Sequence, residues 1–177
     1  LLDNWFYRTD WKRKQRLGVA QSVDATLLLT NSSSVAQTIQ KKTAAVTITC
    51  GDSFETGDSQ YTLDLSDAKQ CQALAAALKE QGIHSYRIIS LLGHGQPIYA
   101  AESATLDQPK SRQLLENHLV LAQNLIQHLG SAGELVFIAD GLFDCQEEDC
   151  VDPAKAAMKG LLLELDQEQA GFDVLLL

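Results

Sequence analysis

The stretch ATLLLTNSSSV, at residues 25–35, decides how the rest of this sequence is interpreted. Residues 26–30 form a short run dominated by leucine, which is typical of a strand covered on both faces of a parallel sheet. The serines at positions 32–34 favour a helix start, because their hydroxyls can accept hydrogen bonds from the unpaired backbone N–H groups found there. The stretch therefore predicts a buried strand that turns directly into a helix.

The turn within this stretch, Asn31 to Ser34, contains no glycine. In α/β domains that bind dinucleotides, glycines in the first strand-to-helix turn allow the tight bend and the close approach of the pyrophosphate. Another glycine pair, Gly93 and Gly95, lacks a third glycine and leads into Pro97, so we interpret it as the end of a strand. The sequence thus predicts the architecture of a dinucleotide-binding domain without its phosphate loop.

Strand patterns alternate with helical patterns along the rest of the chain. After residues 26–30, strands are predicted at residues 45–50, 61–65, 85–92, 134–139 and 172–177. Helices are predicted up to residue 42, from 67 to 82, around 115–129 and from 153 onward, with loops at 54–59 and from 93 to about 109. Gly160, inside the last helix, is expected to permit the close approach of another backbone. The fold class is therefore α/β, a doubly wound, mostly parallel sheet flanked by helices.

An N-terminal aromatic strand is predicted ahead of this unit, at residues 3–11, where Trp5, Tyr7 and Trp11 occupy alternate positions. We interpret residues 1–24 as an entry strand and linker, and residues 25–177 as a single Rossmann-like domain. The chain begins at Leu1 and ends within an apolar run at Leu177, so we expect it to be a fragment of a longer polypeptide.

The composition limits the partners and the compartment. The 177 residues carry 14 basic and 23 acidic side chains, a formal net charge of −9, which disfavours nucleic acid and anionic membrane surfaces as partners. No apolar run approaches the roughly 18 residues that span a bilayer, and we expect a cytoplasmic protein. The four cysteines, Cys50, Cys71, Cys145 and Cys150, lack the spacing of a zinc site and are predicted to be reduced thiols.

No motif in the sequence assembles a catalytic site. A short-chain reductase needs a lysine four residues after its tyrosine, and none of the four tyrosines here has one. We expect all four histidines, His84, His94, His118 and His128, in loops or on the surface. His94 and Asp140 follow predicted strands, where α/β folds bind ligands, but neither has an identifiable partner in the sequence. The sequence therefore predicts no catalytic, cofactor-binding or metal-binding residue.

The order of these motifs resembles the N-terminal structural subdomain of polyketide synthase ketoreductases, and the likeness spans nearly the whole chain. The resemblance implies a truncated Rossmann-like sheet. In that family, Ala139-Asp140-Gly141 is more commonly Thr-Arg-Gly, and Ser90-Leu91-Leu92 usually contains a tryptophan. The stretches that carry the likeness are Trp5 to Lys12, residues 27–34, Gly51 to Phe54 with Tyr61 to Asp64, residues 88–92, Phe137 to Gly141, and Asp152 to Leu161 with Gln167-Glu168.

The resemblance implies a non-enzymatic scaffold. Its neighbour in the same synthase would bind NADPH and carry out the reduction, while this chain braces that catalytic half, or a neighbouring methyltransferase or enoylreductase. The reductase region could be active or inactive, a pseudo-ketoreductase. Docking is expected through the N-terminal aromatic strand and the apolar C-terminal run. The alternative is a small α/β enzyme or ligand-binding domain that uses Asp140 or His94.

Overall fold

The computed structural model of the chain describes residues 22–31, 34–95, 99–100, 105–106, 108–143 and 151–177. The predicted aromatic strand at residues 3–11 lies outside these ranges, as do Cys145 and Cys150. The helices are α1 Ser34–Lys42, α2 Ala68–Glu80, α3 Gln108–Leu129 and α4 Pro153–Glu168. The strands are β1 Ala25–Leu29, β2 Val46–Cys50, β3 Glu55–Gly57, β4 Gln60–Leu63, β5 Tyr86–Gly93, β6 Tyr99–Ala100, β7 Thr105–Leu106, β8 Gly133–Ala139 and β9 Phe172–Leu176.

Seven of these strands form one sheet in the order β3-β4-β2-β1-β5-β8-β9. Every neighbouring pair in the sheet is parallel except β3 and β4. In the centre, Leu28 of β1 lies in register with Thr47 of β2 and with Ile89 of β5. The chain winds outward from β1 in both directions, so the predicted doubly wound, Rossmann-like sheet is confirmed.

Strand β1 is central because its leucines serve two cores. Leu27 and Leu29 belong to the main core, which α2, α3 and α4 cover on one face of the sheet. Leu28 belongs to a smaller cluster with Ala36 of α1 on the other face. All three leucines are 0% exposed, and burying each contributes about 1.5–3 kcal/mol. The continuous apolar run at residues 26–30 therefore reflects burial on both faces.

Two regions predicted as loops contain short strands. Residues 55–57 form β3, which turns back on β4 through Asp58 and Ser59, and β6 pairs with β7 outside the main sheet. All three residues of β3 are exposed. It therefore lacks the apolar alternation from which a strand can be predicted.

Close packing around a glycine occurs at Gly93, against side chains, and not at Gly160. A Cβ atom at Gly160 would meet no atom of the described residues within 4 Å, so within that part of the chain the prediction for this residue is wrong. A Cβ at Gly93 would lie 2.8 Å from Cζ of Phe137 and 2.9 Å from Cβ of Ala139. The pairing of β5 with β8 also shifts register between Ser90 and Gly93. This irregularity lies at the carboxyl end of β5, a position where bulges often shape a site.

Candidate functional site

The carboxyl ends of parallel strands form the edge of the sheet where α/β folds bind ligands, at the point where the chain leaves neighbouring strands toward opposite faces. In this structure that point lies between β1, which leads to α1, and β5, which leads to α3. A crevice of about 160 Å³ is found there, which is small beside the roughly 300–1,000 Å³ of typical ligand pockets. Its lining consists of Asn31, Cys50, Leu92, Lys110, Gln113, Leu114 and Asn117.

The glycine-free turn contributes the first of these residues. Thr30 is buried at 3% exposure, and Asn31 is exposed at the rim of the crevice. Helix α1 begins at Ser34, while Ser32 and Ser33 lie outside the described residues. Capping by these serines therefore stays a prediction.

His94 and Asp140, which sequence reasoning left without partners, lie close together. Nδ1 of His94 is 3.7 Å from Oδ1 of Asp140. The backbone N–H of Gly95 donates to the same oxygen at 2.8 Å. Nζ of Lys155, at the start of α4, lies 3.2 Å from it. Asp140 thus links the loop after β5, the turn after β8 and α4.

The Asp140 carboxyl is stabilised as an anion. Partial burial alone would raise its pKa, but hydrogen bonds from the backbone N–H groups of Gly95 and Asp140 itself, together with the Lys155 ammonium, lower the pKa below its ordinary value. A general base at neutral pH usually has a raised pKa and faces its substrate. The contacts of Asp140 are instead those of an anion that ties loops together.

Lys155 is the residue of this cluster that sequence reasoning missed. Its side chain is 1% exposed, whereas that of Asp140 is 53% exposed. Lys155 lies three residues before Met158 and seven before Leu162, which are both buried. The helical period of 3.6 residues therefore places it on the inward stripe of α4, and that spacing was visible in the sequence.

His118 is buried, and the prediction that it lies on the surface is wrong. It is 3% exposed, and its Nε2 lies 2.7 Å from Oγ of Ser90, which is 0% exposed. Its Nδ1 lies 2.7 Å from the carbonyl oxygen of Leu114. The ring also packs edge-on against Phe137, with the centroids 5.1 Å apart. Of the other three histidines, His84 is exposed, and His94 and His128 are half-buried.

The error at His118 comes from the phase of α3. Sequence reasoning placed Leu115, Leu119, Ala122, Ile126 and Leu129 on the inward face. Ala122 and Leu129 are buried, but Leu115, Leu119 and Ile126 are only half-buried. Other buried residues of α3 lie one position earlier in these turns, namely Leu114, His118, Leu121 and Leu125. Helix α3 therefore has two adjacent apolar stripes, and the half-buried one, Leu115, Leu119 and Ile126, lies further from the centre of the core.

The described tyrosines have structural roles. The Tyr86 hydroxyl donates to the carbonyl oxygen of Gly130 at 3.1 Å, and burial raises the pKa of Tyr86. The Tyr61 hydroxyl accepts a hydrogen bond from Nε2 of Gln81 at 2.9 Å. Tyr7 lies outside the described residues, and the side chain of Tyr99 is not among those described. Neither Tyr61 nor Tyr86 belongs to the lining of the crevice, so neither could donate a proton to a ligand bound there.

The described part of the chain gives little support to a metal site, a reactive thiol or a membrane-spanning helix. No group of three or more His, Cys, Asp or Glu side chains there could hold a metal ion. Cys50 and Cys71 are free, and burial, with smaller contributions from Asp67 and Asp64, raises the pKa of the Cys71 thiol to about 12. None of the helices described is long and apolar enough to cross a membrane.

A larger groove of about 510 Å³ lies between α3 and α4. Its apolar residues are Leu119 and Ile126 of α3 with Leu161 and Leu165 of α4. These residues include two members of the half-buried stripe of α3. The rim carries amide and acidic side chains, namely Gln123, Gln127, Glu164, Glu168 and Gln169. An apolar floor with a polar rim is the composition of a protein–protein contact.

No protein-family model matches the chain, and no curated protein matches its sequence. Solved structures match its fold. The adenylation, ketoreductase and pseudo-Asub multidomain structure of a keto acid-selecting NRPS module has a TM-score of 0.68 at 15% identity, over 90% of this chain and 14% of that chain. An N-terminal ketoreductase from a macrolactin assembly line has a TM-score of 0.68 at 17% identity, over 93% of this chain and 33% of that chain.

Single short-chain dehydrogenases also match. One from Serratia marcescens has a TM-score of 0.58 at 15% identity, over 85% of this chain and 77% of that chain. One from Streptomyces avermitilis has a TM-score of 0.56 at 20% identity, over 89% of this chain and 65% of that chain. This chain has the fold of ketoreductases and short-chain dehydrogenases. It spans well under half the length of the NRPS module chain and of the macrolactin ketoreductase chain that it matches.

Proposed function

We propose that this chain is the non-catalytic structural subdomain of a polyketide synthase ketoreductase region and braces the NADPH-binding catalytic half of that region. The order of its sequence motifs and the fold it shares with an assembly-line ketoreductase support this role. On this proposal the chain alone binds no NADPH and catalyses no reduction, because the glycine-rich loop and the Tyr/Lys pair belong to its neighbour.

The contrast between the two cavities is the observation that carries the proposal. The crevice at the switch point holds about 160 Å³, whereas a dinucleotide needs a pocket of at least several hundred. The larger cavity, about 510 Å³, lies away from the strand ends, between α3 and α4, with Leu161 and Leu165 on its floor. The surface best suited to a partner is therefore a pair of helices and not a cofactor site.

The outer strands of the described sheet favour docking through helices over docking by strand addition. On β9, the backbone N–H of Val174 donates to Oδ1 of Asp166 in α4 at 2.8 Å, so this group is not available to a further strand. At the other end, β3 has three residues, and Glu55 adds a charge. Short, charged or covered outer strands discourage pairing with another chain. We therefore assign the contact with the catalytic half to the α3–α4 groove.

Docking through the C-terminal run stays a prediction. Val174 and the two leucines after it are half-buried, and Leu177 is 56% exposed. Docking through the aromatic strand at residues 3–11 also stays a prediction, because it lies outside the described residues.

A matched pair of variants tests the assignment of the groove. Leu161→Glu places a charge on its half-buried floor, whereas Leu163→Glu makes the same change at a residue of the same helix that is 39% exposed and outside the groove. Association of each variant with the separately purified catalytic half is measured by calorimetry. We expect binding at least about tenfold weaker for Leu161→Glu and unchanged for Leu163→Glu. The same comparison applies to a methyltransferase or enoylreductase neighbour.

Two results would contradict the proposal. Equal effects of the two variants would place the contact elsewhere, provided that circular dichroism shows both variants folded. Saturable binding of NADPH to the chain alone, at micromolar concentrations, would favour an enzyme.

The approach of His94 to Asp140 within 3.7 Å favours the alternative, a ligand-binding domain at those residues. In that case His94→Ala would abolish the binding of NADPH to the chain. The bracing role instead predicts that His94→Ala has no effect on association with the catalytic half.

A further inference from the structure

We propose that the groove between α3 and α4 receives one amphipathic helix of the partner, with apolar side chains on the groove floor and lysine or arginine side chains directed toward α4. The juxtaposition that carries this proposal is an apolar floor that follows both helices, beside a rim that is acidic on α4 alone. The inference rests on the bracing role, because it describes the part of the catalytic half that would enter the groove.

The floor of the groove has a spacing that a helix can fill. Leu119 and Ile126 of α3 are seven residues apart, which corresponds to about 10.5 Å along the helix at 1.5 Å per residue. Leu161 and Leu165 of α4 are about one turn apart, and all four side chains are half-buried, so a partner can reach their outer surfaces. A helix that binds in an apolar groove uses anchors over about two turns, at positions i, i+3 or i+4, and i+7. The floor therefore matches such a helix in length.

The two sides of the rim differ in charge. On α3 the rim carries the neutral amides Gln123 and Gln127, whereas on α4 it carries the carboxylates of Glu164 and Glu168. All four residues are exposed. No cation of the described residues lies within ion-pair distance of either carboxylate. Cationic side chains of the occupant are therefore attracted to the α4 side, which sets the rotation of that helix about its own axis.

The two glutamates are unfavourable for α4 itself. They lie four residues apart in one helix, where like charges repel each other. Glu168 also lies in the last turn of α4, which has no basic residue, beside the negative end of the helix dipole. By contrast, α1 has Lys41 and Lys42 in its last turn, and α2 has Lys79. A cationic partner would relieve both unfavourable contacts of α4.

The same charges disfavour a second copy of this chain as the occupant. A symmetric pair that packs α4 against α4 would place Glu164 and Glu168 near the same residues of the other copy. The amides of α3 at the rim carry no positive charge that could compensate. The partner surface is therefore a different one, with the opposite charge.

Four synthetic peptides test the chemistry of the occupant. The first is an alanine-rich helix with leucines at positions i, i+4 and i+7 and lysines along one side of this stripe. Each of the others changes one property: glutamates replace the lysines, alanines replace the leucines, or a central proline breaks the helix. Fluorescence anisotropy of the labelled peptides, titrated with the whole chain in about 0.15 M salt, gives dissociation constants. We expect the first peptide to bind and each of the others to bind at least about tenfold more weakly.

A matched pair of double variants locates the charges. Glu164→Gln with Glu168→Gln removes both carboxylates from the rim, and Asp58→Asn with Glu80→Gln removes two exposed carboxylates outside the groove. The change in net charge is the same. The groove variant should bind the first peptide about fivefold more weakly, and the control should stay within about twofold of the wild type. The groove variant should also unfold at a higher temperature than the wild type, because the repulsion within α4 is removed.

Three outcomes would overturn the proposal. Equal binding of the lysine and glutamate peptides, or equal effects of the two double variants, would show that the rim does not select charge. Equal binding of the proline peptide would show that the occupant is not a helix. Self-association of the chain that Leu161→Glu disrupts would show that a second copy fills the groove.

The bracing role is judged separately, by association of the chain with the catalytic half. If that association is weakened by Leu161→Glu but the peptides show no charge preference, the bracing role stands and this inference fails. Selective binding of the first peptide without association with the catalytic half would contradict the bracing role instead.

Discussion

The Ser90 hydroxyl and the His118 imidazole lie 2.7 Å apart, Oγ to Nε2, in the core between β5 and α3. Nδ1 of His118 faces the carbonyl oxygen of Leu114, which can only accept a hydrogen bond, so the ring proton resides on Nδ1. Nε2 must then accept the hydrogen bond from Ser90. This pair resembles a catalytic dyad in its distances, but with both side chains buried it serves as a neutral polar contact within the core.

The stability of the protein should depend on the protonation of His118. Burial lowers its pKa from 6.5 to about 4, a difference worth about 3 kcal/mol. The unfolded chain binds this proton more tightly, so the contribution is complete above pH 6.5, decreases as the pH falls from 6.5 to about 4, and changes no further below that. Urea unfolding at a series of pH values measures the decrease.

Removing His118 should remove this part of the pH dependence. In His118→Gln, the loss of stability between pH 6.5 and 4 should be smaller by about 3 kcal/mol than in the wild type. His84→Gln, a change at an exposed histidine, should leave the curve as it is. Parallel curves for the wild type and His118→Gln would mean that the imidazole is not held neutral.

Removing the charge of Asp140 should destabilise the protein more than removing the charge of Lys155. Asp140→Asn leaves the ammonium of Lys155, 1% exposed, without its anion, and should destabilise the fold by about 2 kcal/mol. Lys155→Met leaves the Asp140 carboxylate, which is 53% exposed, without its cation. This variant should lower the free energy of unfolding by less. The double variant should recover most of the loss, as a double-mutant cycle by chemical denaturation would show. Additive losses would contradict a direct link between the two.

Gly160→Ala should stabilise the protein. The position is helical, exposed and open to a Cβ atom, so alanine gains about 0.5–1 kcal/mol by restricting the unfolded chain. Ala157→Gly, at another exposed position of α4, should lose a similar amount. Thermal unfolding measures both changes. A loss of stability in Gly160→Ala would show that a backbone does approach this helix closely.

Asp166→Ala should promote self-association. The substitution releases the backbone N–H of Val174 on β9, the last strand in the described sheet. An unpaired donor on an outer strand is a site for pairing with another chain. Sedimentation velocity should show concentration-dependent dimers for this variant. Asp173→Ala removes the same charge from an exposed position on β9 and should show the same fraction of dimer as the wild type.

The fold was largely predictable because each central element carries a local pattern set by its own burial. Leu27, Leu28 and Leu29 are adjacent, and an uninterrupted apolar run of that length is what a strand covered on both faces requires. Asp67 was recognisable as a helix start, and its side chain accepts from the backbone N–H of Lys69 at 2.8 Å. The exposed strand β3 lacked such a pattern and was therefore missed.

What the tertiary structure alone decided are the contacts between residues far apart in the sequence. Ser90 and His118 are 28 residues apart, and nothing near either residue indicates the other. His94, Asp140 and Lys155 likewise meet because β5 and β8 are neighbours in the sheet and α4 returns over it. A polar side chain has the same local sequence whether it faces solvent or a partner. Its role therefore depends on which strands pair and on the rotation of each helix about its axis.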